Sequence, residues 1–147
     1  MKESKKTPKV LFNASVILSG LKSPSGGSAV LLRWSKEGVI DALVSELIIN
    51  EVAKNISKLK VTKSAYKRKL KGIFAEVSPP PNAKLVKKYK SIVTDFDDAH
   101  LIASAQELKV DYLVSLDKKH ILALKRKFKV AKIVNPGELI EILKKRV

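Results

Sequence analysis

Three short apolar runs, Val10-Leu11-Phe12, Tyr112 to Leu116 and Ile133-Val134, lack the strict apolar-polar alternation of a half-solvated strand. A strand with one face in water alternates with period two; a strand covered on both faces does not. The runs therefore predict a parallel sheet clad by helices on either side. Parallel neighbours need crossover connections, and the segments between the runs carry helical spacing.

The loop Ser23-Pro24-Ser25-Gly26-Gly27 opens a helix through Ala29, Val30, Leu31 and Trp34 that closes near Gly38, and a strand follows over Val39 to Val44. Ser45 is placed to cap a helix from Glu46 to about Leu59, striped by Ile48, Val52, Ile56 and Leu59. A basic helix over about 62–73 leads to a strand, Phe74 to Val77, which Pro79-Pro80-Pro81 stops. Asn82 to about Ile92 reads as helical. Thr94 or Asp95 caps a helix over 95–108, Asp117 to Arg126 reads as a further helix, and Val130 to Val134 as a strand. Pro136, at a first helical position, opens the last helix through Leu139, Ile142 and Leu143. The sum is an α/β fold, a three-layer α/β/α sandwich with a central, mainly parallel sheet. The 147 residues suit a single domain, with 1–8 as a frayed basic arm.

Chemistry in open α/β sheets sits beyond the carboxyl ends of the strands. The first strand delivers Asn13-Ala14-Ser15 there, and the run ending at Leu116 delivers Asp117. Glu51 follows Ile48 by three residues and Leu47 by four, on the rim of its helix's buried face. Asp98 precedes Leu101, Ile102 and Ala105 by three, four and seven residues, so it heads a buried stripe. Each acid also has a local use: Asp117 as a cap, Asp98 as a complement to the helix dipole, Glu51 as an exposed helix residue. Asp95 and Asp97 read as capping and surface charges, with Asp97 adjoining the site. Together the acids converge on one sheet edge. Like charges at short range raise one another's pKa, and divalent cations relieve them. With no cysteine and two histidines, the donors are hard oxygens, which favour Mg²⁺ or Mn²⁺ over zinc.

Thirty Lys and Arg against fourteen Asp and Glu leave a net charge of +16, a field that attracts polyanions and makes nucleic acid the leading partner. A lysine-rich, solvated surface of the heat-adapted kind is the plainer reading, but Glu does not match Lys here. The densest basic stretches are Lys63, Lys67, Arg68, Lys69 and Lys71, and a second one starting at Lys118 and Lys119 beside Asp117. Basic surface and acidic site together point to metal-assisted phosphodiester hydrolysis. No apolar run approaches a membrane span and the polar start, MKESKKTPK, does not read as a signal peptide, so a cytoplasmic protein without membrane contact is expected. Nucleotide cofactors are disfavoured, since neither G-x-G-x-x-G nor a phosphate loop ending in Lys-Ser/Thr occurs. His100 lies about 200° around its helix from Asp98, which makes a shared metal awkward, and reads as outward or partner-facing. His120 reads as an ordinary first-turn helix residue, and Trp34 as core rather than a base-stacking surface.

On VLFNASVILSGLKSPSGGSA, SELIINEV, DDAHLIASAQELKVDYLVSLDKKHIL and the terminal IVNPGELIEIL, the chain resembles a PIN domain. This is the family of small metal-dependent nucleases that includes the toxins of many bacterial and archaeal toxin–antitoxin pairs. In that family the first strand normally ends in Asp-Thr-Asn-Val or a close variant; here the tetrad is Asn13-Ala14-Ser15-Val16. The resemblance implies that Asn13, Glu51, Asp98 and Asp117 hold one or two Mg²⁺ or Mn²⁺ ions. It further implies that Glu51, Asp98 and Asp117 direct water at an RNA phosphate and that Ser15 and Ser115 support the site. From the basic stretches, Lys63, Lys67, Arg68, Lys118 and Lys119 are the candidate RNA contacts, with a solvated face as the alternative, and an antitoxin-like protein and a second copy of the chain are implied partners. Asn in place of the first Asp removes a full negative charge from the central ligand position. Two readings follow: a weakened ribonuclease, or a module that binds RNA or protein without cutting. Ala14 and Ser15 also differ from the commonest motif, which argues for drift over the whole turn rather than one engineered change.

Overall fold

Val10, Leu11 and Phe12 are fully buried, as a strand covered on both faces requires. In the computed structural model, which describes residues 7–60, 62–93 and 95–146, they belong to β1 (Lys9–Phe12). The other strands are β2 (Asp41–Ser45), β3 (Phe74–Ser78), β4 (Tyr112–Val114) and β5 (Lys132–Val134). They form a five-stranded sheet in the order β3-β2-β1-β4-β5. Every pair is parallel.

The helices are α1 (Ala14–Lys22), α2 (Gly27–Lys36), α3 (Glu46–Asn55), α4 (Lys63–Leu70), α5 (Ala83–Lys90), α6 (Phe96–Leu108) and α7 (Pro136–Leu143). One layer is built from the contacts of α1 with α2 and α3 and of α2 with α7; α5 and α6 pack together in the other. The chain runs outward from β1 through β2 to β3, then returns to β4 on the far side of β1 and continues to β5. Right-handed crossovers put the helices of these two excursions on opposite faces. The order reverses between β1 and β4, and a crevice at such a reversal is where α/β sheets bind ligands. Gly20 lets α2 approach α1: a Cβ there would stand 2.5 Å from Leu32 Cδ1.

Several boundaries differ from the sequence expectation. The segment after Asn13 is not a turn but α1, an element the apolar runs alone do not announce. Residues 117–126 do not form the expected helix; they hold turns and a short 3₁₀ helix, Leu122–Leu124. Ile121, Leu124 and Phe128 are buried at helix-like spacing, but cations crowd this stretch and residues 118–126 hold no acid at helical spacing to offset them. α3 ends at Asn55 and passes into a 3₁₀ helix over Ile56–Leu59. Of the expected arm, residues 1–6 lie outside the described residues, whereas Pro8 is buried and its carbonyl accepts the Asp41 N–H at 2.9 Å.

Candidate active site

The register Phe12 to Val114 sets Asn13 and Ser115 abreast at the carboxyl ends of β1 and β4. The Asn13 N–H extends the ladder to Val114 O at 3.0 Å, after which the chain turns into α1 with Asn13 as its N-cap. Asn13 Oδ1 accepts the Ala14 N–H at 2.8 Å, which leaves the amide NH₂ on the other side, donating to Ser115 Oγ at 2.8 Å. Ser115 Oγ, fully buried, also accepts the Asp117 N–H at 3.0 Å. Ser15 Oγ accepts the Leu116 N–H at 3.1 Å. The turn that presents Asp117 is thus tied twice to the start of α1.

A cleft of about 360 Å³ opens beyond these strand ends. Asn13 and Ser15 line it from the α1 side, Glu51 from α3, Asp97 and Asp98 from the first turn of α6, and Asp117 from the loop after β4. Asn13, Glu51, Asp98 and Asp117, distant in sequence, therefore share one wall-to-wall space; Ser115 lies beneath it and braces Asp117. Asp95 is the α6 N-cap, accepting from Asp97 N at 2.8 Å and Asp98 N at 3.3 Å, and it also faces the cleft. Thr94, the alternative cap, lies outside the described residues.

Both histidines depart from expectation. His100 is not outward: it is 7% exposed and lines the cleft, because the cleft wraps around more than one side of α6. His120 is not on a helix. Its N–H donates to Asp117 Oδ1 at 3.0 Å and its Nδ1 lies 3.3 Å from Asp117 Oδ2. The spacing Asp117-x-x-His120 held this signal, since a carboxylate three residues before an N–H is a capping arrangement. Lys118 and Lys119 are exposed beside Asp117. Lys67 and Arg68 are exposed on α4, which contributes nothing to the cleft, and the Lys63 side chain lies outside the described residues. Trp34 packs against the core, as its helical spacing predicted.

Burial pushes the Glu51 carboxyl above its ordinary range, and Asp97, Asp95 and Asp98 add repulsion in that order. Asp98 is raised first by burial and then by Asp95, with further repulsion from Asp117 and Asp97 opposed by His120. Burial pushes the His100 imidazole below its ordinary range, opposed by the Asp97 charge. Groups whose folded pKa is raised stabilise the fold when protonated, so this contribution is complete below their unfolded pKa and lost as pH rises through the folded one. Without divalent cations, melting temperature is expected to gain from mild acidification through this range, and the gain should shrink in Glu51→Gln. An identical pH profile in that variant would refute the assignment.

Such surplus negative charge on hard oxygens fits a divalent cation in kind. Among the described residues no three Asp, Glu, His or Cys side chains stand close enough to grip one ion together. Mg²⁺-type sites commonly use only one or two carboxylates and complete the shell with water, and the cleft supplies that many. A larger groove of about 860 Å³ lies along β5 and α7, but its Lys125 Nζ meets both Glu138 oxygens at 2.7 Å, which leaves that pair neutralised.

A parallel sheet with carboxylates gathered at its switch point defines an α/β protein that concentrates acid chemistry at strand ends. Two solved structures share the fold. PAE2754 from Pyrobaculum aerophilum superposes with a TM-score of 0.62 at 20% identity, over 94% of this chain and 96% of that one. FitAB bound to an IR36 DNA fragment gives a TM-score of 0.60 at 16% identity, over 86% of this chain and 94% of that one. No curated protein sequence matches. A family model for the PIN domain matches residues 9–119, and the chain belongs to the PIN-domain family, whose members are generally nucleases. Among the described residues no helix is long and apolar enough to cross a membrane.

Proposed function

We propose that the protein is a metal-dependent ribonuclease that hydrolyses RNA phosphodiesters in the cleft of Glu51, Asp98 and Asp117, with turnover held down by Asn13. The observation that carries this reading is the meeting of three acids from α3, α6 and the loop after β4 in one cleft, where burial and mutual repulsion raise two of them. Mg²⁺ or Mn²⁺, when bound, activates water and stabilises the leaving oxygen. Asp98, whose charge repels Glu51 and is itself repelled by Asp117, is coupled to both of the other acids of the cleft and would be the principal ligand. Glu51, with its raised proton affinity, takes up the proton that attacking water releases. His120 orients Asp117, and the bracing of the 115–117 turn by Asn13 and Ser15 keeps that carboxylate at the cleft.

Asn13 is the weak member. Its oxygen already serves the helix cap and its NH₂ is a donor, so it brings no charge to a cation. This specific feature favours the second reading, a PIN domain that binds RNA or a protein partner without cutting. Incubation of single-stranded RNA with Mn²⁺ or Mg²⁺ and with chelator separates the two. Cleavage that survives chelation refutes the metal-dependent reading, and metal-dependent turnover refutes the non-cleaving one.

Nucleic-acid contact is supported by the net charge of +16 and by the exposed cations beside Asp117. FitAB, whose solved structure holds a DNA fragment, is a relative in fold. Replacing Lys118 and Lys119 together by Ala is expected to weaken RNA binding and to lower the slope of log affinity against log salt by about 1–2, roughly one per phosphate contact. The same change at Lys67 and Arg68, remote from the cleft, should leave RNA cleavage unaltered. The reverse pattern would relocate the RNA path.

A further inference from the structure

Among the chain's one Trp, three Tyr and four Phe, Phe96 alone is an exposed aromatic, 49% accessible. It is also absent from the side chains packed on the core. It occupies the first position of α6, between the cap Asp95 and the cleft acids Asp97 and Asp98. One turn along, the ring of His100, which lines the cleft, lies 5.3 Å from the Phe96 ring at a tilt of 50°. Lys90 Nζ lies over the Phe96 ring, 5.6 Å from its centroid, on the end of a flexible side chain. Lys90 closes α5, a helix that also carries Lys84, Lys87 and Lys88 and no acid.

Half-exposing a phenyl ring to water forgoes apolar burial, and the ring contacts of Phe96 are with His100 and Lys90 rather than with the hydrophobic core. An aromatic face with a cation beside it is what an unpaired nucleotide needs: the ring receives the base, the ammonium the adjoining phosphate. We infer that Phe96 is a nucleobase-stacking platform at the mouth of the cleft, with Lys90 holding the next phosphate, so that the site takes single-stranded RNA by an unstacked base. The inference rests on the nucleic-acid reading of the cleft above. Base pairing would bury the stacking face, which makes the platform selective for unpaired strands. Stacking is tolerant of base identity, so it sets strand type rather than sequence.

The test measures binding in chelator, where no cleavage intervenes. An unstructured oligoribonucleotide is compared with an abasic strand of the same length and charge, for the natural chain and for Phe96→Ala and Phe96→Trp. The natural chain should prefer the base-bearing strand by roughly 5- to 100-fold, Phe96→Ala should erase that preference while leaving abasic-strand affinity unchanged, and Phe96→Trp should restore it. The platform is overturned if Phe96→Ala keeps the preference, as it would if the ring docks an apolar side chain of a protein partner. It is equally overturned if both strands weaken together, as a merely structural ring would cause. If the natural chain binds neither strand, the nucleic-acid reading falls and the platform with it; binding of both strands alike overturns the platform and spares that reading.

Discussion

Asn13→Asp is expected to raise Mn²⁺ affinity by roughly 10- to 100-fold, the worth of one charged contact of about 1.5–3 kcal/mol, and RNA cleavage with it. The change fits the fold. One carboxylate oxygen keeps the Ala14 N–H, and the other faces Ser115 Oγ, whose hydroxyl can turn its hydrogen toward it while still accepting from Asp117 N. The cost appears without metal. A further acid joins a cluster in which the Glu51 and Asp98 carboxyls are already pushed above their ordinary ranges, so the variant should melt about 2–4 °C lower in chelator, for a penalty of about 1 kcal/mol. Mn²⁺ should then stabilise the variant more than the natural chain, since a ligand bound by the folded state alone raises melting temperature by mass action. Equal Mn²⁺ responses in the two proteins would show that the missing charge does not limit the site.

Asp98→Asn makes the opposite pair of changes. Cleavage should fall by about 10²-fold or more and the Mn²⁺-induced rise in melting temperature should vanish, because Asp98 is the cleft acid coupled to both Glu51 and Asp117. In chelator the variant should be at least as stable as the natural chain. Among the described residues no hydrogen bond holds the Asp98 carboxylate, so the amide loses no partner, and one source of repulsion on Glu51 is gone. A variant that melts lower in chelator would mean that Asp98 braces the fold instead. Retained Mn²⁺ stabilisation would place the cation elsewhere in the cleft.

Much of this was legible in the residues. Unbroken apolar strands implied burial on both faces, and burial on both faces implied a parallel sheet. The acids were legible by spacing, since Asp98 heads an apolar stripe and Asp117 ends a strand. Less visible was how Asn13 is used. Its type announces a cap, but only the neighbouring strand reveals that its NH₂ is aimed at Ser115, 102 residues away. His100 was misjudged because helical angles measure direction from one residue to another, whereas a cleft bounded by α1, α3 and α6 surrounds α6 more widely than a single line of sight. The basic stretches looked equivalent as strings of Lys and Arg, yet α4 stands apart from the cleft while Lys118 and Lys119 flank it.

By itself the sequence determined the layers, the parallel strands, the positive field and the uncharged amide at position 13, because hydrophobic periodicity and charge are properties of local stretches. Which acids share a space, which histidines join them and which aromatic ring stays in water were decided only by the tertiary structure. Those relations depend on the reversal of strand order between β1 and β4, which brings together residues from distant parts of the chain whose side chains have no local reason to meet.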